Sequence, residues 1–363
     1  MVQRVEPLKA DDTFDPAPQA LAPPPGNPRF PQLDGLRAIA ALAVFLYHVN
    51  RVAPFPGFLG KLAGHGNFGV VLFFLLSGFL LYRPSVSARA GRSRAVPART
   101  FYARRALRIV PAYVVALAAL AIWPGLDGFG EFWWRHFTFT QIYWNASVFT
   151  GIHVAWSLCV EVSFYALLPL YVLATRRWRP TAAVELALLA GLAIASAGAH
   201  QATASKLAAN WGFTLPTTFY LFAVGMAVAV LDVHLVKGVA GLPYRRLAWP
   251  AAAALFVLIA AATDSETLGA VHPVYAVVAL LVLIPATDST RIVASRPARI
   301  LEWGGLISYA FYLYHEDLVT QLGRELSSPW SLTAVALAAT VAAATASYYV
   351  IEQPALRLKR ALR

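Results

Sequence analysis

The chain has 363 residues, of which 58% are hydrophobic and 13% charged, and its mean hydropathy is +0.58. Soluble domains usually carry about 25% charged residues, so this composition argues against a soluble globular enzyme and against disorder over most of the length. Cys159 is the single cysteine, which excludes a disulfide scaffold. A formal charge of +12 would suggest a nucleic-acid partner in a soluble protein, but in so apolar a chain it indicates basic cytoplasmic loops of a membrane protein.

The first 32 residues differ in composition from the rest. Residues 1–31 hold eight of the 24 prolines together with several acidic residues, and they show no apolar periodicity. We interpret residues 1–32 as a disordered, Pro-rich cytoplasmic tail. The segment lacks the basic start and apolar core of a signal peptide.

Ten apolar stretches, each near the ~20 residues that a membrane span needs, follow this tail. They lie near residues 34–52, 68–83, 106–123, 154–175, 181–199, 214–231, 247–263, 268–287, 304–322 and 331–351. The sequence therefore predicts an all-α, polytopic integral membrane helix bundle of about ten transmembrane helices. We expect this domain to cover residues 33–352 and a basic cytoplasmic tail to cover residues 353–363.

The distribution of Lys and Arg predicts the orientation of the spans. If the N-terminus is cytoplasmic, 24 of the 30 basic residues fall in cytoplasmic segments and five in outer joints. The positive-inside rule therefore favours two cytoplasmic termini and an even number of spans. The outer joint 124–153 is rich in Trp and Tyr, and we expect it to lie at the membrane surface, where such rings favour the headgroup zone.

Three ionisable residues lie in the first span, where such groups are costly and mark functional sites by default. Arg37 and His48 are eleven residues apart, which places them on one helix face about 16 Å apart along the axis. Asp34 precedes Arg37 by three residues. In the alternative interpretation, Asp34 and Arg37 are a snorkelling charge pair, and His48 is a bundle-facing histidine satisfied by a neighbouring hydroxyl or carbonyl.

The fourth and ninth spans add Glu161 and His315, and the latter is followed by Glu316 and Asp317. The first and ninth spans run outward and the fourth runs inward, so we expect His48, Glu161 and His315 to lie at similar depth in the outer half of the membrane. Whether those helices are neighbours stays open, and Glu161 is otherwise a structural carboxylate. We expect Glu316 and Asp317 near the outer interface, with Asp317 at a solvated helix end.

The cytoplasmic joint before the third span carries a basic cluster. Arg104 and Arg108 are four residues apart and share a helix face, and Arg105 flanks them. Guanidinium forks match phosphate oxygens, so the cluster fits a phosphorylated donor. The alternative is that these charges only set the topology. In the second span, we interpret Ser77 beside Gly78 as a close-packing position; an intramembrane hydrolase that uses Ser77 is the competing interpretation.

Six segments together resemble the membrane-bound acyltransferase family 3. They read LDGLRAIAALAVFLYHV, GVVLFFLLSGFLLYRP, FYARRALRIVPAY, WSLCVEVSFYALLPL, ISYAFYLYHE and IEQP, in the order of the family, from about residue 33 to residue 355. The spacing of Arg37 and His48 is the signature of that family. Val71 and the pair Val162–Ser163 depart from the more polar residues of many relatives, which leaves the acceptor open.

The resemblance implies a bacterial enzyme of the cytoplasmic membrane that moves an acyl group, often acetyl, from acyl-CoA to a hydroxyl. Family acceptors include sugars, glycans, glycolipids and antibiotic sugars. We expect no metal and no nucleic-acid partner. Carried over residue by residue, the family motifs fall on Arg37, His48, Arg104, Arg105, Arg108, Trp156, Glu161 and His315.

These residues predict a mechanism. Arg37 and the cluster Arg104, Arg105 and Arg108 would hold the CoA phosphates, and His48 would act as general base on the acceptor hydroxyl. Glu161 or His315 would orient the imidazole, and Asp34 and Trp156 would contact substrate. An acyl-histidine intermediate is the second variant. A transporter or a membrane sensor would use the same buried charges without turnover, but a transporter would favour an internal repeat, which we do not find.

Overall fold

The computed structural model describes residues 28–204, 211–235, 238–243, 245–263, 268–288 and 295–358. Within these ranges all regular secondary structure is helical. The α-helices are α1 (Pro31–Val52), α2 (Gly57–Gly64), α3 (Phe68–Arg89), α4 (Ala98–Ile122), α5 (Phe129–Phe137), α6 (Ala155–Trp178), α7 (Ala182–Ala204), α8 (Leu215–His234), α9 (Arg245–Ala262), α10 (Leu268–Ala286), α11 (Arg296–Leu322), α12 (Pro329–Ser347) and α13 (Gln353–Leu358).

A helix occupies each of the ten predicted spans, which confirms the all-α polytopic bundle. Among the described residues, eight helical stretches are long and apolar enough to cross a membrane. The other two predicted spans are α10 and α11. The apolar part described for α10 is the shorter stretch His272–Ala286, and α11 carries ionisable residues near both ends. Hydropathy alone therefore does not identify α11 as a membrane span, although α11 is one of the most buried helices of the bundle.

The two predicted tails lie mostly outside the described residues. Residues 1–27 and 359–363 are not described, and residues 353–358 form α13. At the N-terminal boundary, α1 already begins at Pro31, and the buried Phe30 ring lies edge-on to Phe79 with a centroid distance of 5.3 Å. The bundle thus starts a few residues before position 33, because an aromatic side chain packs on it there.

Close helix packing in the interior depends on glycine. A Cβ at Gly78 of α3 would lie 2.2 Å from the carbonyl oxygen of Phe222, and a Cβ at Gly225 of α8 would lie 2.1 Å from that of Leu75. Neither position has room for a methyl group. The prediction of close contact at Gly78 is therefore confirmed, and small residues are what allow α3 and α8 to approach each other.

Helix α1 packs between α3 and α11. Gly69 of α3 lies against the Ala40 carbonyl, and Gly305 of α11 lies against the Asp34 carbonyl. Farther along, the rings of His48 and His315 approach each other. Since Asp34 meets Gly305 before His48 meets His315, α1 and α11 run in the same direction. We call the end where both helices begin the basic end, and the opposite end, where His48 and His315 lie, the histidine end.

The joint between α4 and α6 forms a small aromatic layer at the histidine end. It contains α5 and a short 3-10 turn, Gln141–Tyr143. The Arg135 guanidinium lies 4.8 Å from the ring centroid of Trp144 and 5.4 Å from that of Trp134, and both tryptophans are exposed. Exposed indole rings of this kind suit a membrane interface. The location of this joint at the membrane surface stays a prediction.

Candidate active site

Three neighbouring cavities lie along the bundle between its two ends. The histidine cavity, about 580 Å³ in volume, opens at the histidine end. The basic cavity, about 170 Å³, lies at the basic end. A middle chamber of about 70 Å³ lies between α3, α6 and α11. The chamber shares Val70, Phe74 and Tyr312 with the histidine cavity, and its Glu161 is hydrogen-bonded to Ser77 of the basic cavity.

At the histidine cavity, two imidazoles face one carboxylate oxygen. His48 Nδ1 lies 3.2 Å from Glu316 Oε1. His153 Nδ1 donates to the same oxygen at 2.5 Å. His48 is buried, and its side chain is 11% exposed against 38% for His153. A carboxylate at Nδ1 fixes the tautomer of an imidazole and leaves Nε2 as the basic nitrogen.

His315, the residue before Glu316 in α11, also belongs to this group. Its ring centroid lies 5.1 Å from that of His48, and its Nδ1 donates to the carbonyl oxygen of Tyr312 at 2.8 Å. Because a carbonyl only accepts, the proton must be on Nδ1 and His315 Nε2 is an acceptor. That buried nitrogen has no hydrogen-bond partner within the part of the chain that the structure describes. The structure thus brings His48 and His315 together, whereas the sequence predicted only that they lie at similar depth.

Glu161 does not join them. Its two carboxylate oxygens accept hydrogen bonds from Ser77 Oγ at 2.5 Å and from Tyr165 OH at 2.9 Å. Helix α6 begins at Ala155, so Glu161 lies about 9 Å along it toward the basic end. The carboxylate beside His48 is instead Glu316. Glu316 was expected near the outer interface, but α11 continues to Leu322, about 9 Å beyond it. Asp317, expected at a solvated helix end, likewise lies inside α11 and is only partly exposed.

The basic cavity collects the arginines that the sequence singled out. Its lining includes Arg37, Arg104, Arg105 and Arg108 together with Asp34. Arg37 donates to Asp34 Oδ1 at 2.6 Å, which fits either the snorkelling pair or a substrate-contacting pair. The lining of this cavity therefore contains more guanidinium groups than carboxylates.

Arg29, from the predicted tail, also reaches the basic cavity. It forms an ion pair with Glu302 of α11 and lies 3.9 Å from Asp34 Oδ2. This contact ties the segment before α1 to α11. No local pattern predicts this contact, because Arg29 and Glu302 are far apart in the chain.

The protein itself satisfies Arg105 only in part. Its guanidinium lies 5.8 Å from the ring centroid of Tyr165, and its Nε is buried with no hydrogen-bond partner among the described residues. Arg37 and Arg108 are close enough to act on it electrostatically, and both carry the same charge. Like charges held together in a partly buried space favour a bound anion. The geometry therefore fits phosphate groups.

Hydroxyl groups border the middle chamber, which lies between the two cavities. Ser157 Oγ and Tyr312 OH are 2.8 Å apart, and both side chains border the middle chamber. Ser77, interpreted from sequence as a packing residue, also donates a hydrogen bond to Glu161. Its hydrogen-bond partner is thus a carboxylate and not a histidine, unlike the serine of a Ser–His–Asp triad.

The outer wall of the histidine cavity is aromatic. The Trp156 ring and the Phe149 ring each lie with their centroid 4.9 Å from that of Phe213. On the same cavity, the rings of His200 and His272 stack at 5.3 Å. Among these rings, the sequence predicted a substrate contact only for Trp156. The other rings come from separate joints and helices, so no local pattern groups them.

Glu316 and His153 are the functional candidates that sequence reasoning missed. Glu316 lies inside the quoted motif ISYAFYLYHE, but hydropathy placed it at the outer interface. His153 lies just before the first motif residue of α6, with no pattern of its own. Over the described ranges, no group of three or more His, Cys, Asp or Glu side chains has the geometry to hold a metal ion.

Comparison with known proteins identifies relatives of the whole bundle. The model of the acyltransferase domain family matches residues 30–351. Nodulation protein 10 of Rhizobium leguminosarum bv. viciae is 28% identical over 81% of this chain and 83% of that protein. The peptidoglycan O-acetyltransferase OatA of Listeria monocytogenes is 27% identical and the O-acetyltransferase OatA of Staphylococcus aureus 29% identical, each over 46% of this chain. These matches cover 28% and 29% of those two longer proteins. No solved structure matches the chain significantly.

Proposed function

Since this chain belongs to the acyltransferase family, we propose that it is an O-acetyltransferase that moves the acetyl group of acetyl-CoA to a hydroxyl of a glycan or glycolipid. The names of the two O-acetyltransferase relatives support the acetyl group and the oxygen acceptor. One observation carries the proposal: Arg37 and His48 share a face of α1 about 16 Å apart, and they line the basic cavity and the histidine cavity respectively.

The two cavities match the two ends of the donor. Arg37, Arg105 and Arg108 hold the phosphates of the nucleotide end by charge-assisted hydrogen bonds. The middle chamber takes the thin arm of the donor, and its hydroxyl groups on Ser157 and Tyr312 supply polar contacts along it. Asp34 keeps Arg37 in position. The thioester then lies beside His48.

His48 is the general base of the transfer. Its Nδ1 faces Glu316, so Nε2 takes the proton of the acceptor hydroxyl while the hydroxyl oxygen bonds to the thioester carbonyl carbon. The carbon–sulfur bond breaks, and the proton passes from His48 to the departing thiolate. Glu316 stabilises the imidazolium that forms in between, as the carboxylate of a hydrolase triad does. His315 packs edge-to-face against His48 and limits its movement.

Glu161 has a different role in this proposal from the one the sequence suggested. It borders the middle chamber and accepts from Ser77 and Tyr165, so it shapes the path of the donor. The acceptor occupies the histidine cavity, whose volume of about 580 Å³ falls within the usual range for ligand sites. The rings of Trp156, Phe149 and Phe213 offer flat apolar faces to a sugar ring.

We place the basic end toward the cytoplasm of a bacterial cell, with the protein in the cytoplasmic membrane and both termini cytoplasmic. The charge distribution supports this orientation, and acyl-CoA is then available at the basic cavity. Single cysteines introduced near residue 90 and near residue 145, in a Cys159→Ser background, test it with a membrane-impermeant thiol reagent. Labelling of position 90 in intact cells would contradict the orientation.

The direct test uses detergent-purified protein. Acetyl-CoA consumption is followed as free thiol, with a muropeptide mixture and with N-acetylglucosamine oligosaccharides as acceptor probes, and the products are weighed by mass spectrometry. A gain of one acetyl group in an acceptor supports the proposal. Failure of the protein to bind acetyl-CoA, measured by calorimetry, would overturn it.

A further inference from the structure

His153 lies outside the motifs that carry the family resemblance, yet it shares a carboxylate oxygen with His48. It comes two residues before α6, at the end of the aromatic joint. Its Nδ1 donates to Glu316 Oε1 at 2.5 Å, and the Nδ1 of His48 lies 3.2 Å from that same atom. The shorter hydrogen bond therefore belongs to His153, although His48 is the more buried of the two imidazoles.

His153 contacts Glu316 from a third segment of the chain. The side chain of Glu316 comes from α11 and that of His48 from α1, whereas His153 belongs to neither helix. The other carboxylate oxygen of Glu316, Oε2, is buried with no hydrogen-bond partner in the described part of the chain. The hydrogen bond from His153 is thus the contact that fixes the carboxylate with Oε1 toward His48.

We propose that His153 is a positioning residue of the transfer reaction, which holds the Glu316 carboxylate against His48 and controls, through its own protonation, how strongly that carboxylate supports the His48 imidazolium. This inference rests on the proposed function. Neutral His153 orients Glu316 with one N–H. Protonated His153 competes for the negative charge of Glu316, so His48 loses part of its support and becomes a weaker base.

The groups around His153 determine how its protonation changes the local electrostatics. Its ring lies 4.7 Å from the neutral ring of Phe149. The titratable or charged groups near it on the joint and on the packed helices are Asp127, His48, Glu316 and Asp317, and Arg51, His200 and His272 line the same cavity. Protonation of His48 removes the base itself, whereas protonation of His153 weakens the carboxylate support of that base.

The test is the pH dependence of acetyl transfer in purified full-length protein. His153→Asn keeps an amide N–H close to the position of Nδ1 but does not titrate, whereas His153→Ala removes the donor. We expect the acid limb of the logarithmic rate profile to be steeper in the unmodified protein than in His153→Asn, because position 153 no longer binds a proton in that variant. At pH 8, His153→Asn keeps kcat within about threefold, and His153→Ala loses about tenfold or more, with KM for acetyl-CoA unchanged.

Each result has a definite meaning. A kcat and a pH profile for His153→Ala equal to those of the unmodified protein would overturn the inference. So would an acid limb as steep in His153→Asn as in the unmodified protein, or a loss in His153→Asn as large as in His153→Ala. If His153→Ala fails to fold in a size-exclusion and thermal-unfolding check, the His153→Asn profile decides alone. His234→Asn, at the exposed end of α8, is the matched control. Lack of transfer by the unmodified protein would count against the proposed function itself.

Discussion

Gly305 of α11 lies so close to Asp34 of α1 that a Cβ on the glycine would be 2.1 Å from the Asp34 carbonyl oxygen. This contact sets the distance between the two helices that hold His48 and Glu316. The relative positions of His48, His315 and Glu316 therefore depend on a glycine at the other end of the same helix pair. Close approach of this kind is available only to a residue without a side chain.

Gly305→Ala should lower the stability of the bundle by about 1–3 kcal/mol, because the added methyl group has no space beside the Asp34 backbone. Thermal unfolding in detergent measures the change. Gly191→Ala is the control, since a Cβ at Gly191 of α7 meets nothing within 4 Å. There, alanine should be neutral or stabilising by about 0.5–1 kcal/mol. Equal behaviour of the two variants would contradict the packing argument.

His48→Ala should abolish transfer while leaving the amount of folded protein unchanged. General-base catalysis contributes roughly 10²- to 10⁴-fold, so we expect a kcat loss of at least about 100-fold. Acetyl-CoA consumption and acceptor mass report the activity, and size-exclusion chromatography reports folding. His234→Ala, on the exposed end of α8, should keep full activity. Activity of His48→Ala near that of the control would remove the role of the imidazole.

Glu316→Gln and Glu161→Gln should have different kinetic effects. In Glu316→Gln the imidazolium of His48 loses its carboxylate, so kcat should fall about 100-fold or more with little change in KM. In Glu161→Gln the contacts of Ser77 and Tyr165 change along the donor path, so the larger effect should be on KM for acetyl-CoA. Steady-state kinetics separates the two. The reverse pattern would assign Glu161 as the partner of the base.

Arg105→Gln should weaken donor binding about tenfold or more, since charge-assisted hydrogen bonds to phosphate are among the stronger polar contacts. The KM for acetyl-CoA and the inhibition constant of free CoA should rise together, and both should depend less on salt than in the unmodified protein. Arg99→Gln, exposed in the first turn of the same helix α4, is the control. If the two variants bind CoA equally well, the cluster only sets topology.

The stability of the aromatic joint should depend on pH through His136. Burial of this imidazole, together with the nearby Arg135, lowers the pKa of His136 to about 4. The folded protein therefore keeps it neutral, whereas the unfolded chain binds a proton near pH 6.5. The stabilising contribution is fully present above about pH 6.5 and is lost as the pH falls toward 4.

His136→Asn should make the melting temperature less sensitive to pH between 6.5 and 4, because the titrating group is gone. The variant will be less stable at neutral pH, since it disturbs the packing of Gly151 against the imidazole ring. The informative quantity is the slope of melting temperature against pH. His234→Asn should keep the slope of the unmodified protein. An unchanged slope in His136→Asn would show that another group causes the acid sensitivity.

Local patterns in the amino-acid sequence determined much of this protein. Apolar length predicted a helix at each of the ten positions, and the helical repeat placed Arg37 and His48 on one face of α1. Both inferences hold because they depend only on residues close together in the chain. The clustering of Arg104, Arg105 and Arg108 near Arg37 was predicted as well, since the charge pattern placed all four at the same end of the bundle.

The tertiary structure decided which carboxylate faces His48. The depth predicted for Glu161 in the membrane made it a candidate partner of His48. Because α6 begins only at Ala155, Glu161 lies about two turns farther along that helix, toward the basic end. Helix α11 continues beyond Glu316, which is therefore held within the bundle. His153 joins the same oxygen from a joint that has no periodicity. Such choices depend on where helices begin, how far they extend and how closely Gly305 lets α1 and α11 approach. These are properties of packing between distant segments, which no local pattern contains.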